Sequence, residues 1–378
     1  MSKTQKILES CNSTALAQED MDQVESFVSG VVERHPNVDT GSLFDVSMNT
    51  AKYYKAITEA GAGMVQDDTD LYRDISMIIT AKFWTGSMIS ELASTQVLDN
   101  IYGYIYRLNF EYADDHAADS ITAGQTLGAV RSSSFASDTG EQSPARRLKA
   151  ELRRELVEAK IRPLELSQTF HSILRRASVL GKGSKAGFDN KMLQTAYVKL
   201  RDELEMATIL RLPSIVPAGN KVNFTDPIAD GAKPCTEKEC EYGLFFEALA
   251  DASNRVHVST GLYPNVVMLG TKGLRLVERW IKTKPNEMWT DMIPQKGRMG
   301  VFAKRWMVYY DPAMGDKAVV GVFNPDDPTQ NPILYAPYIA LGVSPEIFDR
   351  DLSTSQVIFS VDRVDITEPT LFGQVTIV

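Results

Sequence analysis

The alternation of apolar and polar side chains sets the first elements of this chain. From Tyr102 to Tyr112 the period is two: Tyr104, Tyr106, Leu108, Phe110 and Tyr112 fall on one face and Ile105, Arg107, Asn109 and Glu111 on the other. That is the pattern of a β-strand with one apolar face. Before it, residues 70–95 carry Ile75, Met77, Ile78, Ile79, Phe83, Trp84 and Met88, a density that predicts burial. After it, Ala113 to Ser143 is rich in Asp, Ser, Ala, Gly and Thr and has no helical stripe. A connection of that length without regular structure marks a functional projection or a disordered segment. It leads into a charged stretch, Ala145 to Arg162, expected to be solvated along most of its length.

Two helices are then predicted. Pro163 suits a first turn, and Leu166, Phe170, Ile173, Leu174 and Ala177 form a stripe that stops at Gly181. A second stripe, Leu193, Tyr197, Leu200, Leu204 and Ala207, predicts a longer helix from Asn190 to Leu210. Farther on, residues 241–254 and 272–282 read as helices, and Asn265–Leu269 as a short buried strand. Strands are expected at Val301–Tyr310, Ala318–Phe323, Ile333–Val343, Gln356–Val364 and Leu371–Val378. Helices and strands mingle without a regular βαβ alternation, so the expected class is α+β. Residues 1 to about 40 have few large apolar positions and read as an extended arm with one short helix from Asp20 to Glu33.

Composition narrows the function classes. The chain has 378 residues, 43% hydrophobic and 24% charged, which fits a globular protein of two or three domains. No apolar run approaches the roughly 18 residues of a membrane span, and Lys3 and Lys6 precede polar sequence, so neither a membrane anchor nor a signal peptide is expected. Cys11, Cys235 and Cys240 are too few to staple a chain this size, which suits a reducing compartment. The net charge of −9 is uneven: 9 Lys and Arg face 20 Asp and Glu over residues 1–140, against 15 and 9 over 141–211. An acidic front and a basic middle suit contacts between parts or copies of the chain more than a grip on nucleic acid.

Candidate chemistry is sparse. The Gly181–Gly187 loop lacks the register of a phosphate-binding loop, and Val266–Gly273 lacks the dinucleotide glycine pattern and reads as a structural turn. Cys235 and Cys240 supply two thiolates where zinc normally takes four ligands, and His257 has no partner at ligand spacing. Asp114–Asp119 reads as a solvated acidic loop. Four histidines with no nucleophile elbow give catalysis little support. No metal, cofactor or catalytic residue is expected.

Three stretches carry a family resemblance: Tyr104–Tyr112 with its acidic turn, Val157-Glu-Ala-Lys-Ile-Arg162, and Gly297-Arg-Met-Gly-Val-Phe through Trp306-Met-Val-Tyr-Tyr-Asp-Pro312 to Ile333-Leu-Tyr-Ala-Pro-Tyr338. In their order, over residues from about 80 to 378, the chain resembles the major capsid proteins of tailed phages, the HK97-like fold, and most closely the T-even-type myovirus branch. The resemblance implies an N-terminal arm (1–50), a P-domain in three pieces (51–102; 159–211 with the spine helix; 352–378 with C-terminal strands), an E-loop (103–158) and an A-domain (212–351). It implies a shell built of pentamers and hexamers, assembled in the host cytoplasm around DNA that is not specifically recognised. Portal, scaffold and decoration proteins are the further partners it implies. Ile7-Leu-Glu9 and Ile57-Thr-Glu59 fit the short sequences cut by prohead proteases. Interface candidates are Arg146, Arg147, Arg153, Arg154, Glu158, Lys160 and Arg162. The alternatives are an encapsulin-like compartment, which shares the fold, and a cytosolic α+β enzyme.

Overall fold

The computed structural model describes residues 11, 14–60, 66–112, 148–168, 185–225, 238–283, 289–290, 298–323, 331–344, 347–348 and 354–378. In chain order these form α1 (Gln18–Arg34), α2 (Thr40–Glu59), α3 (Gln66–Gly86), α4 (Met88–Leu92), β1 (Ser94–Thr95), β2 (Tyr102–Tyr112), β3 (Leu148–Glu158) and β4 (Lys160–Gln168). Then come α5 (Lys185–Ile209), α6 (Leu212–Ile215), β5 (Lys221–Phe224), α7 (Lys238–Thr260), β6 (Val266–Leu269), α8 (Thr271–Thr283), β7 (Trp289–Thr290), β8 (Arg298–Phe302) and β9 (Trp306–Tyr310). The last strands are β10 (Lys317–Gly321), β11 (Ile333–Val343), β12 (Ile347–Phe348), β13 (Thr354–Ile366) and β14 (Phe372–Ile377). The class is α+β, as the mixed texture of the sequence predicts.

The central sheet runs β1, β11, β13 with β4 and β12 against β13. Every residue of β11 is buried, so its run of apolar side chains faces protein on both sides. Helices α2 and α3 pack on this strand. Tyr53 of α2 donates to the Val343 carbonyl at 3.2 Å and meets Phe359 of β13 edge-on at 5.4 Å. Phe83 of α3 stacks against Tyr335 at 5.4 Å. On α5, Leu193, Tyr197, Leu200 and Leu204 are buried as the stripe predicts, whereas Ala207 is exposed and Thr208 takes the inward position.

A second sheet has the order β5-β14-β10-β6-β9-β8-β7. Its two faces join the two cores. Val266 and Met268 of β6 belong to the larger core with the central sheet, while Val267 and Leu269 belong to a smaller one under α7 and α8. Alternation along one strand thus spans both cores, which is why all four residues are buried. The turn after β6 is structural: a Cβ on Gly270 would sit 2.5 Å from the Gly315 carbonyl oxygen, so only glycine lets the two backbones approach.

Two expectations need correction. Residues 160–168 are strand β4, paired along its whole length with β13, so Pro163 and Leu166 do not open a helix. Phe170, Ile173, Leu174 and Ala177 lie outside the described residues, as do Gly181 and Cys235. The single strand expected at Val301–Tyr310 is a hairpin, β8–β9, turned at Ala303 and Lys304, both at φ 54°. The helix expected from Asp20 to Glu33 is α1, and a second helix that the sequence reading does not give, α2, follows it from Thr40. Helix α1 buries Val24, Val28 and Val31, and α2, capped by Asp39 accepting from the Gly41 amide at 3.1 Å, buries Leu43, Val46, Tyr53, Tyr54 and Ile57.

Candidate assembly surface

Strands β2 and β3 form an antiparallel hairpin of their own, in register from Tyr102 opposite Glu158 to Tyr112 opposite Leu148. Eleven residues of strand extend about 36 Å at roughly 3.3 Å each, and two strands alone cannot bury an apolar face. Among the described residues the contacts with the body are at the root. Ala159 donates its amide to the Ile101 carbonyl at 2.8 Å. The Gln96 side chain mimics a neighbouring strand, accepting from the Tyr106 amide at 2.9 Å and donating to its carbonyl at 2.8 Å, which caps the open edge of β2.

The face that meets the body is the one carrying Gly103, Ile105 and Val157, with Ile105 and Val157 buried. A Cβ on Gly103 would lie 2.7 Å from Leu98 Cδ2, so glycine sets how close the root sits. Tyr102, Tyr104, Tyr106 and Leu156 therefore point the other way and stay 44%, 44%, 46% and 59% exposed. The alternation read from sequence is correct, but its apolar face is the outward one. Farther along, the register pairs Leu108 with Leu152 and Phe110 with Ala150, positions of the same parity. The exposed apolar surface of Tyr102, Tyr104, Tyr106 and Leu156 marks an interaction site.

The sequence-derived candidates divide around this face. Arg154 lies across the hairpin from Tyr106 and places its guanidinium carbon 3.4 Å from the Tyr104 ring centroid. Glu158 accepts from the Tyr102 hydroxyl at 3.2 Å. Arg153 is opposite Arg107 in the register. Lys160 is exposed at the start of β4. Arg162 turns inward: its Nε donates at 2.8 Å to Asp362, a carboxylate only 1% exposed that also accepts from Ser360 Oγ at 2.9 Å. Burial raises the Asp362 carboxyl above its ordinary range, with Arg162 and Ser360 opposing the shift. Arg146 and Arg147 lie outside the described residues. The charge run in the sequence points to the arginines; the exposed apolar surface is carried by the tyrosines and Leu156, whose signal is the period-two pattern itself.

Elsewhere the charged groups engage each other. A cleft of about 250 Å³ between α1, α2 and α3 is lined by Asp20, Lys55, Glu59, Asp70 and Arg73. Arg73 bonds Asp20 at 3.4 Å, Asp70 at 3.5 Å and Gln23 at 3.0 Å, and Lys55 reaches Asp20 at 3.9 Å, which ties α1 to its neighbours. Among the described residues no group of three or more His, Cys, Asp and Glu side chains is placed to hold a metal ion. No helix among them is long and apolar enough to cross a membrane.

No family model matches the sequence, and no curated protein matches it. Solved structures do. One from Mycobacterium phage Bobi is 11% identical, covering 78% of this chain and 91% of that one, with a TM-score of 0.46. The capsid of Myoviridae phage XM1 is 7% identical, covering 76% and 89%, with a TM-score of 0.42. The holo-SrpI encapsulin complex from Synechococcus elongatus is 10% identical, covering 61% and 77%, with a TM-score of 0.38.

Proposed function

We propose that this chain is a major capsid protein of the HK97-like kind, a shell subunit with no catalytic role. The observation that carries the reading is the outward apolar face of the β2–β3 hairpin. A hairpin whose described contacts with the body lie at its root, with tyrosines and leucine turned to solvent, gains its missing packing by lying on another copy of the chain. In this reading the hairpin belongs to the E-loop (103–158), α5 is the spine helix, residues 212–351 form the A-domain and residues 51–102, 159–211 and 352–378 the P-domain, with β11 pairing with β13 and β14 with β10 across those bounds. The order of the motifs from Tyr104 to Tyr338 supports the T-even-type branch.

Copies close into pentameric and hexameric rings, and rings tile a shell around phage DNA in the host cytoplasm. The net charge of −9 suits an inner wall that does not hold DNA tightly. Portal, scaffold and decoration proteins complete the particle.

Expression of the chain, followed by sedimentation and negative-stain electron microscopy, tests the reading. Closed particles or capsomer rings are expected. A stable monomer at high concentration contradicts it, and particles filled with a cargo protein instead of DNA in infected cells favour an encapsulin-like compartment.

A further inference from the structure

Helix α7 presents a ridge to solvent whose two ends differ in charge. Leu244, Glu247 and Asp251 recur at helical spacing and are all exposed, Asp251 pairing with Arg255 one turn on at 3.6 Å, so the amino-terminal half of the ridge is acidic with an apolar edge and Glu247 is its least compensated charge. Fourteen residues, or about 21 Å, beyond Leu244 the same ridge reaches Val258, which is 63% exposed. The helix then ends at Gly261 in the left-handed region at φ 78°, and Leu262 and Tyr263 follow, both exposed.

The far end is built as a cationic and aromatic platform. His257 stacks on Tyr263 with ring centroids 3.6 Å apart and planes 13° from parallel. Arg305 lies over the same tyrosine at 5.3 Å and over Trp306 at 4.9 Å. Arg305 and the exposed Lys304 are delivered by the β8–β9 turn, where Ala303 and Lys304 adopt φ 54°. Such a turn ordinarily takes Asn and Gly, and neither residue here is favoured in that conformation. Backbone strain held at an exposed turn that sets Arg305 over two aromatic rings, with Lys304 exposed beside it, is the mark of a contact site.

We propose that the two ends of this ridge form one contact between copies, the Tyr263, Lys304 and Arg305 end of one chain seating against the Leu244, Glu247 and Asp251 end of the next. The partner is a second copy because the acidic and apolar positions that match this platform in sign and character lie on the same helix. A contact between two different ends of one surface is heterologous, and repeated by rotation it closes a ring. Charge complementarity also gives the contact a direction: like ends repel, so copies join head to tail. The proposal rests on the shell reading and names a surface distinct from the hairpin.

Charge reversal with rescue tests it. Lys304→Glu with Arg305→Glu is expected to lower the yield of rings and particles about tenfold, as is Glu247→Lys with Asp251→Lys, and the four changes together are expected to restore it. The neutral pair Lys304→Ala and Arg305→Ala, which adds no repulsion, lowers it by a smaller factor. All four side chains are exposed; Asp251 gives up an ion pair with Arg255 at 3.6 Å and Arg305 its place over Tyr263 and Trp306, so melting temperatures fall by a few degrees while the subunit stays folded at the assembly temperature. Reversed pairs that assemble normally, or a fourfold variant that fails to recover, overturn the contact while particles of the unchanged chain keep the shell reading. An unchanged chain that forms no particles overturns both.

Discussion

The guanidinium carbon of Arg154 lies 3.4 Å from the centroid of the Tyr104 ring, joining the two strands of the hairpin on the face turned away from the body. A cation on an exposed ring holds both side chains in place at modest cost, so the pair offers a preformed surface of mixed charge and aromatic character. Charge reversal at Arg153 and Arg154 is expected to reduce particle yield while leaving the fold intact. Circular dichroism and thermal melting check the fold, and sedimentation checks assembly.

Tyr104→Asp combined with Leu156→Asp places charge on the same outward face. Both side chains are exposed, but they face each other across the hairpin and Tyr104 holds Arg154, so the isolated subunit should lose about 1–2 kcal/mol and remain folded. Assembly should be lost. The inward changes Ile105→Asp and Val157→Asp act oppositely, burying an unpaired carboxylate at the root and destabilising the subunit itself. A denaturant titration separates the two outcomes.

Arg162 was a candidate for contact between copies, and its geometry makes it a support for β4. Removing it in Arg162→Ala leaves Asp362 buried without its cation, a change expected to cost about 3–5 kcal/mol. The double variant Arg162→Met with Asp362→Leu removes both charges and should recover most of that loss. Equal stability of the single and double variants, measured by denaturant titration, would show that the pair is not coupled.

Glu205 of α5 accepts from Ser87 Oγ at 2.7 Å and from the Met88 amide at 2.8 Å, pinning the break between α3 and α4. Burial raises its carboxyl above the ordinary glutamate range, against the two hydrogen bonds and Arg201. A carboxyl whose folded value is raised contributes stability that is complete below its unfolded value and is lost as pH rises through the folded one. Glu205→Gln keeps an acceptor for both donors without the charge, so its stability should fall less between the ordinary glutamate range and neutral pH. Thermal melting of both proteins across that window measures the difference. Glu205→Ala leaves the donors unmatched and should cost about 1–3 kcal/mol at every pH in it.

How far the sequence reads depends on what decides each element. Strand β11 is predicted residue for residue, because an apolar run buried on both faces needs no partner to be recognised. Residues 160–168 were misread because Pro163, Leu164 and Leu166 suit a helix start as well as an edge strand, and the choice is made by pairing with β13, nearly 200 residues away. The β8–β9 turn carries Ala and Lys where turn chemistry predicts Asn and Gly, so no local signal marks it. Helix α2 did carry one, Asp39 followed by Leu43, Val46, Thr50, Tyr53 and Ile57, which the polar residues before it obscured. At the hairpin the alternation defines two faces without saying which one the body covers. That is settled by Leu98 against Gly103, a contact no periodicity contains.

The central claim is that the tyrosine face of the hairpin is covered by another copy. Hydroxyl-radical footprinting of Tyr104, Tyr106 and Leu156 in assembled particles and in dissociated subunits tests it most directly. Strong protection of all three on assembly, beside unchanged labelling of a side chain already buried such as Tyr53, is the predicted result. Equal labelling of the three in both states would contradict it.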